Sequence, residues 1–91
     1  MKTKRTFIII CEAVNTDDLK VIHNYVKSFG YWAHITSSTW AVISDEYSAV
    51  DIRNRIAEIL ETGSRVLVVE SANVAAWLNP MCSNEWLEKN I

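Results

Sequence analysis

Glu12 is the residue whose type and position in this sequence most suggest chemistry. It follows the apolar run of residues 7–11, and a polar, turn-like stretch comes after it. Mg²⁺ is commonly held by one or two carboxylates and by water, so Glu12 side chains from two subunits could form a magnesium site. The simpler interpretation is a strand-end carboxylate that is satisfied by Lys, Arg or water. We favour it because no second acid, His or Lys lies beside Glu12 in this motif.

The two histidines are the next candidates for a general base or a metal ligand. His23 borders the apolar stripe of the first predicted helix, and His34 shares its strand side with Trp32 and Thr36. Histidine titrates near neutral pH, which suits it to acid–base work. A boundary histidine with a local partner explains His23 equally simply, and an ordinary cross-strand contact explains His34. We interpret the hydroxyl run of residues 36–39 as a turn. It contains no glycine-rich phosphate cradle and no nucleophile elbow.

A nucleic-acid contact is suggested only by the N-terminus, where Lys2, Lys4 and Arg5 are the candidate residues. The formal net charge is −2 and the pI is about 5.6, so the chain has no overall positive field that attracts nucleic acid. A solvated, frayed chain end is the simpler interpretation of the basic cluster. Trp32 and Trp40 could stack on bases, but without basic neighbours we favour core or interface packing.

Composition indicates a compact globular domain. The 91 residues are 49% hydrophobic and 22% charged, with only two Gly and one Pro. The basic start and its short apolar run do not form a signal peptide, and no segment approaches the ~20 apolar residues of a membrane span. We therefore expect a cytoplasmic protein that does not contact a membrane. Cys11 and Cys82 lack CxxC partners and should be free thiols there.

The elements that must position these residues follow a βαββαβ order. Strand-like runs cover residues 6–14, 31–37, 38–44 and 65–70. The first helix should begin after Asn15 or Thr16 and end before Gly30, and the second should begin at Ser48 and end before Gly63. Their buried stripes are predicted at Leu19, Ile22, Val26 and Phe29, and at Ala49, Ile52, Ile56, Ile59 and Leu60. The order predicts an α+β ferredoxin-like fold, a four-stranded antiparallel sheet with both helices on one face.

The chain after the last strand predicts a helical tail. We divide the sequence into a ferredoxin-like domain at residues 1–71 and a C-terminal helical extension at residues 72–91. Two short helical pieces are expected at residues 73–79 and 83–90, separated by Pro80. Trp77 and Trp86 should be largely buried and anchor the extension to the domain or to a dimer partner.

The second face of the predicted sheet is apolar where a solvated face should be polar. Period-2 geometry places Ile8, Ile10 and Glu12 on that face, opposite Phe7, Ile9 and Cys11. An apolar face of this size must be covered by the tail or by a second copy of the chain. We favour a homodimer with Ile8 and Ile10 in its interface.

Three motifs resemble one known family. They are the first strand ending in Cys11-Glu12, the run SSTWAVIS at residues 37–44, and SRVLVVE at residues 64–70. Across residues 5–71 the chain resembles the small ferredoxin-like protein of CRISPR adaptation and its relatives, the virulence-associated D toxins and the SinR-like proteins. The resemblance implies a symmetric dimer formed through sheet faces. In some members it implies metal-dependent cleavage of RNA or DNA by the strand-end acid, which is Glu12 here in place of Asp.

These observations support three hypotheses about function. The first is a non-enzymatic homodimeric module that acts through protein partners or as a weak nucleic-acid scaffold. The second is a magnesium-dependent endonuclease or toxin-like endoribonuclease that uses Glu12. The third is a small-ligand regulatory domain, which rests on fold analogy alone.

Overall fold

The sheet of this protein has the strand order β2-β3-β1-β4, with every neighbouring pair antiparallel. The structure is a computed structural model that describes residues 4–61 and 63–91. Its elements are β1 (Arg5–Glu12), α1 (Thr16–Lys27), β2 (Trp32–Thr36), β3 (Thr39–Ser44), α2 (Ala49–Ile59), β4 (Arg65–Glu70) and α3 (Asn84–Asn90). This is the predicted ferredoxin-like α+β fold with one helix added at the C-terminal end.

Both long helices pack on the same face of the sheet, as predicted. Alternation along β1 directs Phe7, Ile9 and Cys11 to that face. Ile22 and Val26 of α1, Ile52 and Ile56 of α2, and Trp40 and Val42 of β3 complete the same cluster, and Leu60 closes its edge. Full burial of such a side chain contributes about 1.5–3 kcal/mol, so this cluster stabilises the fold strongly.

Capping residues define where α1 and α2 begin, as predicted. The Asn15 side chain accepts a hydrogen bond from the Asp18 N–H, and Ser48 forms a reciprocal capping box with Asp51. The helices end at Lys27 and Ile59. Gly30 and Gly63 follow with φ of 84° and 107°, a left-handed backbone that glycine adopts without strain.

The buried stripe of α1 begins one residue earlier than predicted. Leu19 is 39% exposed, whereas Asp18 is only 6% exposed and Ile22 and Val26 are fully buried. The buried residues are therefore spaced four apart from Asp18 onward. The prediction for Leu19 was wrong, because the polar partners of Asp18 lie in the loop after α2 and have no local sequence signature.

Only the second predicted piece of the tail is helical. Residues 73–79 form no helix, and the prediction for them was wrong. Asn73 and Asn79 adopt left-handed φ values of 66° and 51° at the two ends of that segment. A piece this short forms a helix only where packing offsets the free-energy cost of nucleation, and residues 73–79 bury no side chain fully. The helix α3 forms where predicted and begins after the N-cap Ser83.

The tail packs on the second face of the sheet and covers its β2–β3 half. Leu87 of α3 is 1% exposed, and the face residues Ala33 and Ala41 are 5% and 0% exposed. The Met81 N–H donates to the Ile35 carbonyl at 2.8 Å, and the Thr6 hydroxyl donates to the Asn90 carbonyl. The tail therefore covers part of the apolar face that the sequence left without an assigned cover.

Leu87, rather than a tryptophan, is the buried anchor of the tail. Trp77 and Trp86 are only half-buried, and the Trp77 indole N–H donates to Asn84 Oδ1 at 3.1 Å. The prediction that both indoles would be largely buried is confirmed in part, because neither indole is exposed and neither is fully buried. An indole N–H needs a hydrogen-bond partner, which favours a partly solvent-exposed position, whereas the leucine side chain has no polar atom.

None of the helices in residues 4–61 and 63–91 is long and apolar enough to span a bilayer.

Candidate functional site

Glu12 lies at the end of β1 and faces a cation. Its register partner across the ladder is Arg65, and Arg65 Nη1 lies 3.3 Å from Glu12 Oε1. The two side chains are 72% and 81% exposed, so this ion pair contributes at most about 1 kcal/mol. No group of three or more His, Cys, Asp or Glu that could hold a metal ion occurs among the described residues. A magnesium site at Glu12 stays a prediction that needs acids from a second subunit.

Asp18 is the one buried carboxylate among the described residues, and its position in the sequence indicated only a helix-dipole role. Its Oδ2 accepts hydrogen bonds from the Glu61 N–H at 3.1 Å and from the Ser64 hydroxyl at 3.5 Å. The carboxylate therefore ties the start of α1 to the loop between α2 and β4. Its only sequence signal is the first-turn pair Asp17–Asp18, which does not tell which member is buried.

Cys11 lies near this carboxylate in the core. Burial, and secondarily the charge of Asp18, raise the pKa of the Cys11 thiol. A thiol with a raised pKa is protonated and weakly nucleophilic at neutral pH. Cys11 and Cys82 are both free, as predicted. Cys11 therefore serves as a small core residue.

The two histidines lie side by side and contact the buried Trp40. The indole N–H of Trp40 donates to His23 Nδ1 at 3.2 Å, and the His34 ring stacks on Trp40 with centroids 4.7 Å apart. The centroids of His23 and His34 are 5.4 Å apart. These are the local and cross-strand partners that the simpler interpretations required.

His23 suits the neutral state in this cluster. Burial, then the proximity of His34 and Lys27, lower the pKa of His23. His23 Nδ1 accepts the Trp40 hydrogen bond, which requires an unprotonated nitrogen there. His34 Nε2 is buried and has no hydrogen-bond partner among the described residues. The cluster borders an open cleft of about 510 Å³ between α1 and β3.

The two described basic residues of the N-terminus, Lys4 and Arg5, contact other parts of the chain. Lys2 lies outside the described residues. The Lys4 ammonium lies 5.4 Å from the ring centroid of Tyr31. The Arg5 guanidinium donates to Glu70 Oε1 at 3.0 Å and to the Tyr47 carbonyl at 3.2 Å. The charge of Arg5 is thus partly neutralised, which weakens its case as a phosphate contact.

The other half of the second sheet face presents an exposed apolar surface. Ile10, Leu67 and Val69 are 40%, 55% and 40% exposed, and we call these three residues the β4 patch. Leu67 lies directly opposite Ile10, and Val69 lies opposite the half-buried Ile8. Of the two residues predicted at a dimer interface, Ile10 thus belongs to the β4 patch and Ile8 lies beside it. The tail does not bury this half of the face.

Comparison with known proteins adds no relative: no protein-family model, curated protein or solved structure matches the chain. The resemblance to the CRISPR adaptation family therefore stays a prediction.

Proposed function

We propose that this protein is a non-enzymatic homodimeric module that acts through protein contacts, and that the β4 patch is part of its contact surface. One observation carries the proposal. Three adjacent aliphatic side chains on a single sheet face remain 40–55% exposed after the tail has packed. The water-facing side of an antiparallel sheet is normally polar, and contiguous exposed apolar surface marks interaction sites.

The engagement of the candidate chemical groups supports the non-enzymatic part of the proposal. Glu12 pairs with Arg65, Asp18 accepts bonds from the α2–β4 loop, and His23 accepts from the Trp40 indole. Each group thus has a structural partner that accounts for its position. The pairing of Arg5 with Glu70 likewise favours a protein partner over a nucleic-acid scaffold. The two free cysteines suit a reducing compartment, and the cytoplasm is the proposed location.

Sedimentation velocity tests the proposal with a matched pair of variants. Leu67 and Val50 are both 55% exposed, but Leu67 lies in the β4 patch and Val50 lies on α2. We expect the wild type to sediment as a dimer at tens of micromolar, with Leu67→Lys a monomer and Val50→Lys still a dimer. A charge in an apolar interface costs several kcal/mol unless it is paired. A wild type that sediments as a monomer at this concentration would refute the proposal.

A further inference from the structure

The rest of the chain protects one edge strand of the sheet, β2, and leaves the other, β4, open. The β2 edge has a register irregularity between His34 and Thr36, and the Met81 N–H of the tail bonds the Ile35 carbonyl beside it. Irregular pairing and a covering segment are the usual ways in which proteins protect an edge strand. The β4 edge pairs with β1 in unbroken register and contains neither Pro nor Lys. Its charged residues, Arg65 and Glu70, stand only at its two ends.

The β4 edge also presents a regular row of backbone groups. The Ser71 N–H donates to the Thr6 carbonyl at 2.8 Å, which makes Thr6 and Ser71 a hydrogen-bonded pair of the β1–β4 ladder. Because such pairs alternate along an antiparallel ladder, Leu67 and Val69 also direct their N–H and C=O groups toward β1. Val66, Val68 and Glu70 therefore direct theirs outward. Within residues 4–61 and 63–91 these outward groups have no hydrogen-bond partner.

We propose that a second copy of this chain pairs its β4 antiparallel to this edge, so that the two sheets join into one continuous sheet. The inference rests on the proposed function and assigns it an interface. A two-fold axis perpendicular to the sheet at Val68 places Val68 opposite the partner's Val68 and Val66 opposite the partner's Glu70. The outward groups then form about six hydrogen bonds, because each hydrogen-bonded pair exchanges two.

Side chains favour the same arrangement. In this register Leu67 lies opposite the partner's Val69 on the second face, so the exposed parts of both side chains come together twice across the seam. The tail covers mainly the β2–β3 half of the face, and Leu67 and Val69 of β4 stay 55% and 40% exposed beside it.

Disulfide trapping tests the register. Single Leu67→Cys and Val69→Cys variants are prepared in a Cys82→Ser background, in which the remaining Cys11 is 1% exposed. In the proposed register Cα atoms of residue 67 and the partner's residue 69 are separated by about 4.5 Å, within disulfide reach, whereas like positions are diagonal neighbours about 7–8 Å apart. Mild oxidation of the mixed variants should therefore yield several-fold more covalent dimer than either variant alone. A Val50→Cys variant mixed with either should yield none.

The outcomes separate this inference from the function on which it rests. Preferential cross-linking of the mixture supports the edge-to-edge dimer. A wild type that sediments as a dimer, with no excess of cross-linking in the mixture, overturns the β4 pairing while the homodimeric module stands. A monomeric wild type overturns both.

Discussion

Replacing Asp18 by alanine should destabilise this domain more than any other change of an acidic residue in the first turn of α1. Asp18 is 6% exposed, and its carboxylate accepts the Glu61 N–H at 3.1 Å and the Ser64 hydroxyl at 3.5 Å. Alanine leaves both donors without an acceptor in a place where water has little access. The neighbouring Asp17 is exposed and belongs to the same first turn, so it shares the helix-dipole effect but not the buried contacts.

The expected size of the effect follows from these two contacts. A hydrogen bond to a charged acceptor contributes about 1.5–3 kcal/mol, and the bond to Ser64, at the limit of hydrogen-bond distance, contributes less. The loss of a favourable helix-dipole contact increases the destabilisation by about 0.3–1 kcal/mol. The better helix propensity of alanine decreases it by about 0.5 kcal/mol. We therefore expect Asp18→Ala to lower the free energy of unfolding by about 2 kcal/mol. In a domain of this size that corresponds to a fall in Tm of about 8–16 °C.

Urea denaturation followed by tryptophan fluorescence measures this change, with Asp17→Ala as the matched control. The control should lose less than about 0.5 kcal/mol, because the dipole and propensity terms nearly cancel. Asp18→Asn, which keeps one acceptor oxygen and loses the charge, should lie between the two. If Asp18→Ala and Asp17→Ala differ by less than about 0.5 kcal/mol, the carboxylate does not hold the α2–β4 loop.

Three further changes test other parts of the structure. The pKa of His23 is lowered in the folded chain, so the unfolded chain takes up a proton first as the pH drops below about 6.5. The free energy of unfolding should therefore decrease below that pH. His23→Gln should remove part of this decrease, which urea denaturation at several pH values measures. Leu87→Ala should cost about 2–5 kcal/mol because Leu87 is 1% exposed, whereas Leu78→Ala, at a residue 86% exposed, should cost less than about 0.5 kcal/mol; equal midpoints in urea would show that the tail does not dock. Glu12→Ala should change stability by less than about 1 kcal/mol, and neither it nor the wild type should cleave RNA or DNA with added Mg²⁺; cleavage lost in Glu12→Ala would instead support the nuclease alternative.

The sequence by itself determined the order of the elements and the faces that they bury. Alternation along residues 7–12 separates Phe7 and Ile9 from Ile8 and Ile10, and the structure keeps that division. The caps at Asn15 and Ser48 were readable because a helix N-cap depends on side chains within three residues of it. These features are local, and local interactions leave a pattern at fixed spacing in the chain.

Tertiary structure alone decided which polar side chains are buried and which are paired. Asp18 rather than Leu19 is buried because its hydrogen-bond partners come from Glu61 and Ser64, more than forty positions away. Glu12 faces Arg65 because strand register joins them across the ladder. No fixed spacing along the chain encodes such pairings.

The sequence also could not predict which segment covers the second face of the sheet. Alternation showed that the face is apolar, but it could not distinguish the tail from a second copy as its cover. Packing of the tail, in which Leu87 is buried, shields the half that contains Ala33 and Ala41, and Leu67 and Val69 remain exposed on the other. Which half is covered depends on the path of residues 71–83 after β4, and that path is set by long-range contacts such as the bond from Met81 to Ile35. The exposed half, and with it the proposed contact surface, therefore exists only in the folded protein.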